Sequence, residues 1–114
     1  MKKQERVANG EINEIEQLKK NIQTYLIRFT EHSKQTPKRK GRPQLEEIYT
    51  LFNEKLNNLY QASYQYKDTI LLKFYLSKKY DIHIVVQFDD NQKVLKIITY
   101  YYFNKRSRLR RRDK

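Results

Sequence analysis

Cysteine and tryptophan are absent, and 114 residues include only two glycines, two prolines and two histidines. Without cysteine there is no disulfide scaffold, no thiolate zinc site and no cysteine nucleophile. Two histidines cannot build a histidine-rich metal site, and glycine is too scarce for a phosphate-cradling loop or a dinucleotide fingerprint. No apolar run approaches the roughly 20 residues that a membrane span needs. The opening MKKQERVANG has basic residues but no apolar stretch behind them, so no secretory signal is read there. A cytoplasmic protein is expected, with no cofactor, no metal and no membrane contact.

What the chain does have is positive charge and tyrosine: 25 Lys and Arg against 13 Asp and Glu, net +12, with ten Tyr. The charge is concentrated. Residues 34–42 carry five basic side chains and no acidic one, and residues 104–114 carry seven basic and one acidic. Residues 43–103 carry seven of each, so the body between the two segments is neutral and can fold without self-repulsion. Two local blocks of this kind suit a polyanion, because each Lys or Arg that meets a phosphate releases condensed counterions. The expected partner is nucleic acid, RNA ahead of DNA, or the ribosome, with an acidic protein such as an antitoxin as the alternative. Contacts are expected from Lys38, Arg39, Lys40 and Arg42 in the loop, and from Lys105, Arg110, Arg111 and Arg112 in the tail.

Hydrophobic periodicity divides the rest. Ile12, Ile15, Leu18, Ile22, Tyr25 or Leu26, and Phe29 recur at steps of three and four, which predicts a helix over 11–32. Ser33, Pro37, Gly41 and Pro43 break it. Leu45, Ile48, Phe52, Leu56, Leu59 and Tyr60 predict a second helix over 44–61, with Pro43, Glu46 and Glu47 suited to its start. From there the period becomes two. Strands are expected over Thr69–Ser77, Tyr80–Phe88 and Lys93–Phe103, joined at Ser77-Lys78-Lys79 and at Asp89-Asp90-Asn91-Gln92. The expected fold is α+β: two N-terminal helices packed on a three-stranded antiparallel β-meander, with a basic C-terminal tail. In domain terms that is a flexible 1–10, a single domain over 11–103 with a basic loop at 34–43, and the tail 104–114.

The meander's outer face should show Lys73 and Tyr75, then His83 and Gln87. The third strand adds either Lys96, Tyr100 and Tyr102 or Leu95, Ile97 and Tyr101, and charge favours the first set outward. Lys beside Tyr on an open sheet makes a stacking platform with phosphate contacts at its rim. His83, with a reference pKa near neutrality, is the candidate general acid or base. His32 ends a helix and is read as structural. Asp81, Asp89 and Asp90 would hold a divalent ion only with acidic partners from elsewhere, and Asp89-Asp90 reads as a turn.

Two resemblances add to this. Lys38-Arg39-Lys40-Gly41-Arg42-Pro43 resembles an AT-hook, the extended peptide that lays an Arg-Gly-Arg-Pro core into the minor groove. Here Lys40 stands for the first Arg. Tyr80–Asp90, then Val94–Phe103, then Lys105 and Arg106 resemble the RelE/BrnT-like toxins of the barnase–colicin–RelE nuclease group. The resemblance implies metal-independent RNA cleavage on the sheet face and C-terminal residues. Basic side chains there steady the phosphate, and a Tyr, His or Glu moves protons. The comparable positions are Lys73, His83, Tyr102, Arg106 and Arg108. The other reading is a non-catalytic regulator or accessory protein of phage or plasmid type.

Overall fold

The computed structural model describes residues 10–35 and 41–105. In chain order the elements are α1 (Ile15–Gln23), β1 (Leu26–Phe29), α2 (Glu31–Lys34), α3 (Leu45–Asn53), β2 (Leu59–Tyr64), β3 (Thr69–Tyr75), β4 (Tyr80–Asp89) and β5 (Val94–Asn104). The sheet has five strands in the order β1-β5-β4-β3-β2. All neighbours run antiparallel except β1, which lies parallel to β5 with Leu26 opposite Val94 and Phe29 opposite Ile97. The expected two helices on a three-stranded antiparallel meander is therefore corrected. Three helices and a mixed sheet are formed, and each long helix predicted from periodicity contributes a strand.

The first helix stops early for a local reason. Leu18 and Ile22 are buried, but after Gln23 the chain closes through Thr24, whose hydroxyl donates to the Asn21 carbonyl at 2.7 Å. Leu26-Ile27-Arg28-Phe29 then runs extended. Tyr25, Leu26 and Phe29 satisfy a helical spacing, but Ile27 and Phe29 also satisfy an alternating one, and pairing with β5 decides between the two. Leu26 ends up exposed rather than in the core. Thr30 caps α2, accepting from the Ser33 backbone N–H at 3.1 Å.

α3 starts at a capping box. Glu47 Oε1 accepts from the Gln44 backbone N–H at 3.1 Å, and Gln44 caps the N3 backbone in return. The helix buries Ile48, Leu51 and Phe52 and ends at Asn53. The segment Leu56–Asn58 forms a single 3₁₀ turn, and β2 follows at once. Leu56 and Leu59 are buried as the second helix required, but from a turn and a strand. Two consecutive asparagines, weak helix formers that bond readily to nearby backbone, favour this break. Asn58 Nδ2 donates to the Tyr75 carbonyl at 3.1 Å and fastens the turn to β3.

One hydrophobic cluster holds the layers together. Leu18, Ile22, Ile48, Leu51 and Phe52 from the helices meet Ile70, Leu72, Phe74, Ile82, Ile84, Val86, Leu95, Ile97 and Tyr100 from the sheet. Phe52 meets Phe74 edge-on at 5.4 Å, and Phe29 meets Tyr100 at 5.9 Å. Among the described residues no helix is long and apolar enough to cross a membrane.

Candidate nucleic-acid interface

The register shift between Val85 and Val86 decides which tyrosines share a face. Val85 sits opposite Thr99 and Val86 opposite Ile97, which leaves Ile98 as an extra residue in β5. The inside–outside phase of β5 therefore flips at Ile98. Leu95 and Ile97 point to the helices, and so do Tyr100 and Tyr102. Neither of the two alternating sets expected from the sequence survives. The outer face instead receives Lys96 from one side of the bulge and Tyr101 and Phe103 from the other.

Tyr100, expected to contact nucleic acid, is fully buried, and its hydroxyl donates to the Ser33 carbonyl at 2.9 Å. Tyr102, expected to move protons, donates to both Glu47 oxygens at 2.9 Å on the helix side. Burial first, and then the Glu47 hydrogen bond and charge, push its hydroxyl up to about 12. Both assignments are corrected, because the bulge sends the two rings away from His83.

On the outer face two rows cross the sheet. Tyr75, Asp81 and Phe103 are register partners in one, and Lys73, His83 and Tyr101 in the other. His83 stacks on Phe103 with ring centroids 4.5 Å apart and planes 10° apart, and meets Tyr101 edge-on at 5.4 Å. The expected candidate base is therefore on the expected face, but only 4% exposed. Asp81 is 1% exposed. Its Oδ2 accepts from the Tyr60 hydroxyl and lies 4.0 Å from His83 Nε2, and its Oδ1 is 3.1 Å from the Lys105 ammonium. Lys105 Nζ also sits 4.6 Å above the Tyr75 ring. Tyr75 itself is 45% exposed and Tyr60 48%.

Arg42 approaches from the other side. β1 pairs β5 only as far as Phe29–Ile97, so the second half of β5 has an unpaired edge there. Arg42 covers it, donating from NH1 to the Tyr100 carbonyl at 2.9 Å, and its guanidinium lies 5.8 Å over the Tyr101 ring. Burial raises the Tyr101 hydroxyl's pKa, and the Arg42 charge opposes that. The Gly-Arg-Pro element of the AT-hook resemblance thus has its arginine folded onto this sheet.

Lys96 is also on the outer face, but beside Gln87 and 3.7 Å from Asp89, at the far end of β5 from His83. Lys38, Arg39, Lys40, Arg106, Arg108, Arg110, Arg111 and Arg112 lie outside the described residues, as does most of the predicted tail. Tyr60, Tyr101, Phe103 and the clustering role of Asp81 were not singled out as site residues in the sequence. Strict alternation within Tyr100-Tyr101-Tyr102 separates Tyr101 from its neighbours, which was the one usable signal. Tyr60 was concealed by its place in an apparent helix.

The helix side differs in charge. A cavity of about 270 Å³ there is lined by Glu46, Glu47, Thr50, Leu51, Leu76 and Ile82 among others. Lys55 also lines it, so two carboxylates and one ammonium leave it net acidic, unlike the outer face. No group of three or more His, Cys, Asp or Glu able to hold a metal occurs among the described residues. No family model, no curated protein and no solved structure matches the chain.

Proposed function

We propose that this is a cytoplasmic nucleic-acid-binding protein, with RNA ahead of DNA, that works through the outer face of its sheet. One observation carries the reading. Arg42 and Lys105 belong to the two separate cationic segments, and each lies over a tyrosine of that same face. The segments are more than 60 residues apart in sequence. Arg42 and Lys105 thereby place cations at Tyr101 and Tyr75, with Phe103 between them on the same face. Phosphates would meet the cations, and unstacked bases would meet the rings, a pairing that tolerates any sequence.

A second reading is a metal-independent endoribonuclease of the RelE-like type. The gathering of Tyr60, Asp81, His83 and Lys105 within one corner of the face favours it. In such a mechanism His83 would take the proton of a 2′-hydroxyl, and Lys105 with Arg106 or Arg108 would steady the pentavalent phosphate. The regulator reading needs only the binding surface.

Mixing the protein with a short single-stranded RNA in EDTA separates these. A retarded band of intact RNA is the result expected from binding alone. Progressive cleavage that His83→Ala abolishes while retaining the shift would favour the toxin reading. Seeing neither a shift nor cleavage at low ionic strength would contradict both.

A further inference from the structure

We propose that Asp81 is a built-in anion that occupies Lys105 in the free protein, so that a nucleic-acid phosphate obtains this ammonium only by displacing a carboxylate. The proposal rests on the nucleic-acid reading and concerns the regulation of that surface.

A carboxylate is an unexpected group at the centre of a cationic face. Asp81 lies in β4 between Tyr75 and Phe103, with its side chain 2% exposed. Its surroundings are those a bound phosphate would require: an ammonium at 3.1 Å from one oxygen, and a donated tyrosine hydroxyl and a nearby imidazole at the other. The carboxylate is anchored in the sheet and cannot leave. Lys105 can. It follows the last residue of β5, it is 27% exposed on a long flexible stem, and its backbone is tied to the body through the Lys79 carbonyl at 2.8 Å. Its head can therefore swing from Asp81 to a phosphate lying over Tyr75 while its base stays fixed. Asp81 keeps the Tyr60 hydroxyl after the exchange, so the carboxylate is not stripped of every donor.

Two consequences follow. In the free state the face displays one cation fewer than its residue count implies. In the bound state every phosphate taken by Lys105 has been won against an ion pair. Ligands that present one weak phosphate are discouraged, and ligands that present several along a strand are not.

The test is fluorescence anisotropy with a labelled single-stranded oligoribonucleotide, read for Asp81→Asn, Lys105→Met and the double variant. Asp81→Asn is close to isosteric and keeps an acceptor for Tyr60. It is expected to bind about fivefold tighter at low salt, the size of a modest ion pair released. Its log–log salt slope should stay close to the parent's, because Lys105 meets a phosphate in both bound states, whereas Lys105→Met should lower the slope by roughly 0.7. Lys105→Met is expected to bind more weakly than the parent, and adding Asp81→Asn to it should bring no further gain. The same fivefold gain in the Lys105→Met background would mean that Asp81 acts through net charge alone, and would overturn the proposal. Should Asp81→Asn fail to fold, Lys105→Met decides alone: unchanged affinity and salt slope would show that Lys105 takes no phosphate. A parent protein that binds no oligoribonucleotide at all would remove the nucleic-acid reading itself, whereas a binding parent with an inert Asp81 removes only this inference.

Discussion

Between about 50 and 200 mM salt, the protein should lose roughly three decades of affinity for single-stranded RNA. Single-stranded nucleic acid releases about 0.7 of a counterion for each phosphate neutralised, and six to ten contacts give a loss of that order. Converting Lys38, Arg39, Lys40, Arg42, Lys105, Arg106, Arg108, Arg110, Arg111 and Arg112 to glutamine should remove the same decades at the lower salt concentration. What binding remains should hardly respond to salt. The folded body should survive, because residues 43–103 carry seven charges of each sign. Most side chains in the hydrophobic cluster also come from that stretch. Among the ten, Arg42 donates to the Tyr100 carbonyl and Lys105 pairs with Asp81, and glutamine retains a donor at both positions. Parallel salt titrations of the two proteins, with circular dichroism to confirm the fold, measure this. A shallow slope in the parent would mean that the charge is not used on phosphate.

Phe74→Ala should destabilise the domain by about 3–5 kcal/mol, the usual range for truncating a fully buried phenylalanine. Phe74 is 0% exposed and lies in β3 between Leu59 and Ile82. Its ring meets Phe52 of α3 edge-on at 5.4 Å, so it joins the helical layer to the sheet at the strand that links the predicted and unpredicted halves. Truncation leaves a cavity between two rigid layers that cannot close over it. Small domains are stable by only about 5–15 kcal/mol, so much of the margin would go. A urea titration should show the midpoint falling by about 2 M with little change in slope. A shift under about 0.5 M would show that the helix and sheet layers are not packed through this ring.

Much of the sheet is legible in the sequence, for identifiable reasons. Ile70, Leu72, Phe74 and Leu76, and then Ile82, Ile84, Val86 and Phe88, alternate cleanly, and Asp89-Asp90-Asn91-Gln92 is turn chemistry; β3, β4 and β5 follow within a residue or two at most ends. β1 and β2 were hidden because their apolar residues satisfy two periods at once. Ile22, Tyr25, Leu26 and Phe29 fit a helical face, and only the parallel partner β5 makes the alternating pattern win. Leu56, Leu59 and Tyr60 continue the spacing of α3, and no glycine or proline marks where helix yields to strand. The bulge at Ile98 lies in a run of β-branched and aromatic residues where no polar residue fixes the phase, so Tyr100 and Tyr102 were placed on the wrong side.

The candidate site was half visible for the same kind of reason. Lys73, Tyr75 and His83 follow from alternation along single strands, and they do lie on one face. Asp81 could not be assigned to the cluster from sequence. Its partners Tyr60 and Lys105 come from an unrecognised strand and from the start of the tail, and only the folded sheet brings the three together. Arg42 is similar: its place over Tyr101 depends on β1 being too short to pair the whole of β5. The concentration of charge was plain in the chain, and the convergence of Arg42 and Lys105 on tyrosines of one face was not.

The most direct measurement of that convergence is a photo-crosslinking map with a single-stranded RNA carrying photoreactive bases, read by mass spectrometry of the adducted peptides. The account predicts adducts at Tyr75, Tyr101 and Phe103, with Tyr49 and the Glu46–Glu47 side of α3 unmarked. Adducts concentrated on the helix side, or spread evenly over both sides of the sheet, would contradict it.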